Sequence, residues 1–354
     1  MFTNITIKNF RCFSALQLPD LGRVNLIAGK NNTGKTAVLE AIQLHNQPSD
    51  SLQELAIGKQ RGLLVSSPDS LAILGWLFYR QALQSTFEIE TLGIENQSRK
   101  LTGCLIDVTA DRERFPDFEK KIPGLFSPVK MGGSPDRLVL WAESTGGPTR
   151  YHVSSWDPTN PSVSSRIPRI TTTAFVGALS ASAEQDPRMF GELEAAKRQG
   201  EILPALQILE PRLERLTLIP MSGRTIIHGD IGLPRMIPIN MMGEGLRRLL
   251  SILLAIANTK GGVVLIDEVE NGLHHSVLKQ FWQAIAIAAR QLNVQIFATT
   301  HSYECIQAAH VAFQDSEQYD LKLLRLERSE SSTHAIAYDQ TTLDTAVEMN
   351  MEVR

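Results

Sequence analysis

Apolar and polar positions along the chain follow two periods, and the alternation between them lays out the elements. Residues 2–8 alternate, with Ile5 and Ile7 on one face, and predict a strand; Val24-Asn25-Leu26-Ile27-Ala28 is a second, mostly apolar one. Over 35–44 the spacing of Val38, Leu39 and Ile42 is helical. Residues 48–80 look helical in places (Leu52, Leu55, then 71–78), whereas 86–92, 101–109, 137–142 and 150–154 read as strands of an antiparallel β subdomain. The Pro-, Gly- and Ser-rich stretches 126–135 and 156–168 between them predict surface loops.

Further along, 171–178 (Phe175, Val176) predicts a strand returning to a central sheet. Residues 186–216 have helical composition divided by Pro187 and Pro204. Residues 244–258 place Leu246, Leu249, Leu250, Leu253, Leu254 and Ala257 on one helical face, with Arg247 and Arg248 outside it as a solvated face. Val263-Val264-Leu265-Ile266 then runs into Asp267-Glu268, and 294–298 runs into Thr299-Thr300-His301-Ser302. Continuous apolar strands that end in polar residues are how parallel sheets present sites at their carboxyl ends. Val277, Leu278, Phe281, Ile285, Ala288 and Leu292 mark an amphipathic crossover helix between the two strands. A hairpin (321–326 with 334–338) and a helix over 342–349 close the chain.

Composition narrows the class without choosing a function. With 354 residues, 43% of them hydrophobic and 21% charged, the chain can bury a large core as one big or two modest domains. No basic n-region with an apolar h-region opens it and no run of about 18 apolar residues occurs, so a cytoplasmic protein without a membrane segment is expected. Cys12, Cys104 and Cys305 are too scattered for a metal or redox framework. A net charge of −3 supplies no global basic field for nucleic acid.

The chemistry begins at Gly29-Lys30-Asn31-Asn32-Thr33-Gly34-Lys35-Thr36, which fits GxxxxGK[ST] and lies between a strand and a helix, as that phosphate loop requires. Its glycines let consecutive N–H groups face phosphate oxygens, with contributions from Asn31, Asn32 and Thr33. Lys35 reaches the outer phosphates and the Thr36 hydroxyl ligates Mg2+. Hydrolysis of a nucleoside triphosphate also needs a carboxylate on the magnesium shell and a group to orient the attacking water. Asp267 and Glu268, at the end of an apolar strand, are placed for these roles. Glu270, His274 and His275 would make a metal cluster only with a third-ligand spacing that is absent.

The runs Asp267-Glu268-Val269-Glu270-Asn271-Gly272-Leu273-His274 and Thr299-Thr300-His301-Ser302 resemble the Walker B, D-loop and H-loop of ABC-type ATPases. The likeness is nearest to the soluble RecF/SMC/OLD group and its OLD-like members. Ile7-Lys8-Asn9-Phe10-Arg11-Cys12-Phe13 and the Asn-rich phosphate loop resemble the same group, and Met242-Gly243-Glu244-Gly245-Leu246-Arg247-Arg248 resembles its signature segment, although Met242 stands where transport-type signatures have serine. The resemblance covers residues 1–47 and 236–309. It implies an α/β P-loop NTPase of ABC type, with a mixed central sheet flanked by helices, an antiparallel β subdomain and a helical signature lobe. The implied division is 1–180 and 259–354 for the first lobe and 181–258 for the second.

By the same resemblance the ligands are ATP and Mg2+, and the assembly is a head-to-tail homodimer or a higher oligomer. Each ATP is held by Gly29, Asn31, Asn32, Thr33, Gly34, Lys35 and Thr36 of one copy and by Gly243, Glu244 and Gly245 of the other. Thr36 and Asp267 serve the magnesium, Glu268 the lytic water, and His301 the γ-phosphate. Asn271, Gly272, Leu273 and His274 form the D-loop, and Gln185 is the nearest Q-loop candidate. Only 53 residues follow His301, too few for the nuclease domain of full-length OLD proteins, and no sustained heptads supply SMC arms. The expectation is a stand-alone ATPase that controls a separately encoded nuclease or toxin in prokaryotic antiphage defence. The alternatives are a RecF-like ATPase acting on DNA in repair or replication, and a nucleotide-dependent scaffold.

Overall fold

The computed structural model describes residues 1–50, 74–122, 125–126, 136–155, 167–178, 185–221, 223–329, 332–349 and 351–354. Most of the helix expected within 48–80, and most of the two expected loops at 126–135 and 156–168, lie outside them.

Two six-stranded sheets form the frame. The first, in the order β2-β1-β4-β5-β6-β7, is antiparallel throughout: β1 (Phe2–Phe10), β2 (Phe13–Leu18), β4 (Thr86–Gly93), β5 (Ser98–Asp107), β6 (Asp136–Ser144) and β7 (Arg150–Ser155). The second runs β15-β14-β3-β13-β12-β8. In it β3 (Val24–Ala28), β8 (Thr173–Val176), β12 (Val263–Ile266), β13 (Gln295–Thr300) and β14 (Leu321–Arg328) are parallel, and β15 (Thr333–Tyr338) is an antiparallel edge. The strand at 173–176 thus returns to the central sheet beside β12, as its apolar residues suggested.

Period-2 geometry explains how one sheet serves two cores. Leu26, Val264, Ile266, Ile296 and Ala298 point into one core with helices α4 (Glu244–Asn258), α5 (Leu278–Gln291) and α6 (Tyr303–Gln314). Their neighbours Ile27, Leu265, Phe297 and Leu324 point into the other, shared with α1 (Lys35–Asn46) and the antiparallel sheet. Burial on both faces is why these strands read as unbroken apolar runs. A smaller cluster of Cys104, Ile106, Ile122, Leu125, Val139 and Val153 covers the far face of the antiparallel sheet. Residues 340–348 form the last helix, α7 (Gln340–Glu348), which starts on a capping box between Asp339 and Thr342.

Three expectations need correction. The first strand extends to Phe10 and turns, with Asn9 and Arg11 at φ 53°, into a second strand that the periodicity did not mark. Residues 186–216 are helical only over α2 (Gln185–Ala195) and α3 (Leu203–Gln207), and the stretch ends in β9 (Arg215–Met221). β9 pairs with β10 (Arg224–Asp230), which pairs with the two-residue β11 (Ile237–Pro238), so the lobe that carries the signature segment contains an antiparallel sheet as well as helices. Among the described residues no helix is long and apolar enough to cross a membrane.

Candidate functional site

The parallel register aligns the carboxyl ends of the central strands, with Ala28 opposite Thr300 and Ala298 opposite Ile266, so the segments that follow them meet. The loop leaving β3 bends through Gly29 (φ 152°), Asn32 (φ 64°) and Gly34 (φ 99°), conformations in which a β-carbon is strained. Space forbids one too. At Gly29 it would sit 2.8 Å from Thr33 Oγ1 and 2.9 Å from the Leu326 carbonyl; at Gly34 it would sit 2.6 Å from both Cys12 Sγ and the Phe13 ring. The β1–β2 turn therefore packs directly on the phosphate loop, and the Arg11–Glu40 ion pair (3.0 Å) ties that turn to α1.

Within the loop the Thr33 hydroxyl donates to the Lys30 carbonyl (2.9 Å), and Lys35 Nζ donates to the carbonyls of Gly29 (2.6 Å) and Lys30 (3.1 Å). Burial pushes the Lys35 ammonium below its ordinary range, opposed by the charges of Asp267, Glu268 and Glu270. The Thr36 hydroxyl donates to Asp267, at 3.0 Å from Oδ2 and 3.2 Å from Oδ1, and Thr299 Oγ1 donates to Asp267 Oδ1 at 2.6 Å. Thr299 also accepts from the Glu268 backbone N–H (2.8 Å). Phosphate loop, β12 and β13 are thus knotted through one carboxylate and two hydroxyls. A carboxylate beside a threonine hydroxyl is a hard-oxygen donor set suited to Mg2+, which keeps several waters besides. Among the described residues no cluster of three or more His, Cys, Asp or Glu could hold a metal.

Glu268 adopts φ 47°, an uncommon conformation for a residue with a side chain, and lines a cavity of about 990 Å3 with Asn31, Asn32, Lys35, Thr36 and Asp267. Arg11, Arg80, Arg328 and Trp76 are also part of its wall. Arg11 belongs to the Ile7–Phe13 run, whereas Trp76, Arg80 and Arg328 belong to no motif and only the fold brings them to the loop. Arg328 marks the approach, since its Nη1 donates to the Asn32 carbonyl at 3.2 Å.

The other predicted residues sit elsewhere. Gly243 (φ 101°) opens α4, and Glu244 is paired with Arg247, Nε to Oε2 3.0 Å. The turn at Asn271–His274 packs against this segment. A β-carbon on Gly272 (φ 77°) would meet Glu244 Cγ at 2.7 Å, and one on Gly245 would meet Leu273 Cδ2 at 3.3 Å. Asn271 Nδ2 donates to the Ala178 carbonyl (2.9 Å), and the exposed His274 accepts from the Ser276 backbone N–H (3.3 Å). Neither 243–245 nor 271–274 lines the loop's cavity, and neither does Gln185, exposed at the start of α2. His301 has a half-exposed ring, and its Nδ1 lies 3.3 Å from Glu270 Oε1.

Arg248 is the clearest departure from the sequence reading. Instead of a solvated face it is 4% exposed, and it donates to the carbonyls of Gly177 (2.7 Å), Asp267 (2.8 Å) and Glu268 (3.2 Å). Burial lowers its guanidinium below the usual range, offset by the charges of Asp267, Glu270 and Glu244. Arg247, by contrast, keeps the exposed face of the helix with Glu244.

Comparison with known proteins bears on this geometry. An "AAA ATPase domain" family matches residues 1–102, and a family described as "AAA domain, putative AbiEii toxin, Type IV TA system" matches residues 158–306. An ATP/GTP phosphatase of Helicobacter pylori is 22% identical over 337 residues, 87% of each chain. Two solved structures share the fold. An Smc head bound to the C-terminal winged-helix domain of ScpA has a TM-score of 0.50 at 12% identity, covering 98% of this chain and 99% of that one. An Smc head with an extended coiled coil, bound to a ScpA C-terminal domain derived from Pyrococcus furiosus, has a TM-score of 0.50 at 11% identity, covering 99% of both. The fold is that of an ABC-type P-loop ATPase. The phosphate loop and the segment that opens α4 are separate surfaces of this chain.

Proposed function

We propose that this chain binds ATP with Mg2+ through the phosphate loop and hydrolyses it. Lys35 and the loop N–H groups hold the phosphates, Thr36 and Asp267 serve the magnesium, Glu268 orients the attacking water, and His301 contacts the γ-phosphate. The observation that carries the reading is the knot of Thr36, Asp267 and Thr299 beneath a cavity that also receives Glu268 and Lys35. Bound Mg2+ would neutralise charge developing on the phosphates, and this chain's residues supply the frame that positions them. Lys35, which now spends its protons on loop carbonyls, is free to exchange them for phosphate oxygens.

Two copies would close head to tail around two nucleotides, because Gly243–Gly245 offers unpaired helix N–H groups yet stays outside its own chain's cavity. Opening and closing would then act on a separately encoded effector, a nuclease or toxin in antiphage defence. The toxin–antitoxin description attached to residues 158–306 supports that setting.

Nucleotide binding and turnover by three proteins test the core of this reading. Lys35→Ala should abolish ATP binding. Glu268→Gln should bind ATP within a few-fold of the unaltered chain while turnover falls roughly 10²–10⁴-fold, the usual scale for a positioned base. Unchanged turnover in Glu268→Gln would mean that the assignment of the lytic carboxylate is wrong.

A further inference from the structure

Glu270 is a buried acid, 9% exposed, that the roles above leave unused. Its Oε1 collects the Thr300 hydroxyl (2.7 Å) and the His301 backbone N–H (2.9 Å), and lies 3.3 Å from His301 Nδ1. Its Oε2 is buried without a hydrogen-bond partner among the described residues. A carboxylate that crowds its contacts onto one oxygen leaves the hydrogen-bonding capacity of the other unused, so the placement calls for an explanation beyond stability.

Its backbone has a second task. The Glu270 carbonyl accepts from the Leu273 N–H (2.9 Å) and closes the turn through Asn271 and Gly272, the turn that packs on Glu244 and Gly245. One residue therefore holds the 271–274 turn with its main chain and the His301 ring with its side chain.

Building on the ATPase reading, we propose that Glu270 is a positioning residue for His301. Its carboxylate holds the imidazole proton on Nδ1, leaves Nε2 as the nitrogen that meets the terminal phosphate, and links the ring's orientation to the turn that faces the second copy. An imidazole has two ring nitrogens, and the group bonded to one fixes what the other can do. With Nδ1 turned to a carboxylate, Nε2 is the outward nitrogen on the half-exposed side of the ring. To donate to a phosphate oxygen Nε2 takes up a proton from solvent, and Glu270 balances the positive charge the ring then carries. The competing explanation makes Glu270 only an anchor for the turn at 300–302. Glutamine would fill that post, because its amide oxygen still accepts from Thr300 and from the His301 N–H.

Nitrogen-15 NMR of histidine-labelled full-length protein without nucleotide, with the His301 signals assigned through His301→Asn, separates the two explanations. The unaltered chain and Glu270→Asp should show an Nδ1–H ring. Glu270→Gln and Glu270→Ala should shift toward the Nε2–H form that free histidine prefers. In steady-state ATP hydrolysis, Glu270→Gln should lower kcat about tenfold or more with KM within about twofold, and Glu270→Asp should recover part of the loss. Thermal melts of each variant show whether it is folded. A folded Glu270→Gln that keeps both the Nδ1–H signature and its kcat overturns the proposal, as does an unaltered chain whose His301 is already Nε2–H. Failure of the unaltered chain to turn over ATP would count against the ATPase reading alone, since the ring signature is read without nucleotide.

Discussion

At the scale of single residues, burial outweighs sequence neighbourhood in deciding what a charged group does. Arg248 belongs to a pattern that makes it a surface residue, yet three backbone carbonyls of the site hold it in the interior. A long aliphatic stem lets a cation on the flank of an apolar stripe turn inward, and helical spacing cannot report that choice. His45 shows the same effect on a neutral group. It is fully buried, with Nδ1 3.2 Å from Asn46 Oδ1 and Nε2 3.2 Å from Thr91 Oγ1. Burial first, and the nearby Arg99 charge second, push its pKa down to about 4 from 6.5. The unfolded chain therefore binds this proton more readily than the folded one. The contribution to stability is complete above about pH 6.5 and is lost as pH falls toward 4, by roughly 3 kcal/mol in all. Urea unfolding at pH 7 and pH 5 should show a loss of about 2 kcal/mol that His45→Asn removes from the pH dependence. An equal acid loss in the variant would mean that other groups carry it.

At the scale of elements, legibility followed burial and period. Strands buried on both faces, β3, β12 and β13, were read correctly because their apolar runs end in chemically distinctive residues, and α4 and α5 because wide apolar faces repeat at helical spacing. The strands β9 and β10 escaped notice because only part of each is buried, so neither an unbroken run nor a clean alternation marks them. β2 buries Phe13, Leu16 and Leu18, with Phe13 out of phase with the other two, and it follows β1 after a turn that carries no Gly or Pro to announce it. That turn matters to the phosphate loop. Gly34 is at φ 99°, and its missing β-carbon leaves room for Cys12 and Phe13. Gly34→Ala should thus be strained twice, by conformation and by a 2.6 Å contact against a fully buried ring that cannot move aside cheaply. We expect a loss of about 1–3 kcal/mol in stability and a loss of ATP binding out of proportion to it, measured by thermal melts beside nucleotide titration. Binding that survives within a few-fold would show that the loop can shift without losing its phosphate contacts.

At the scale of the whole molecule, the phosphate loop and the segment that opens α4 lie on separate surfaces of the described chain. The loop, Asp267 and Glu268 line one cavity, while Gly243–Gly245 and the turn at Asn271–His274 pack together outside it. Arg248 joins these two surfaces within a chain: it lies early in α4, the helix that Gly243 opens, and bonds the carbonyls of Asp267 and Glu268. A nucleotide that bridged two copies would therefore be felt at Glu268 through α4. If the sandwich forms, its stability is linked to nucleotide by mass action, and a form that binds ATP without consuming it should populate it most. Glu268→Gln with Mg2+ and ATP is expected to run as a dimer in sedimentation at micromolar concentration, and as a monomer without nucleotide. Adding Gly243→Arg to that variant should keep ATP binding to the phosphate loop and abolish the ATP-dependent dimer: the space beside Gly243 is open in the single chain, and because its φ of 101° strains any side chain, thermal melts must show the variant folded. A dimer that forms equally with and without ATP, or that survives Gly243→Arg, would place the assembly surface elsewhere.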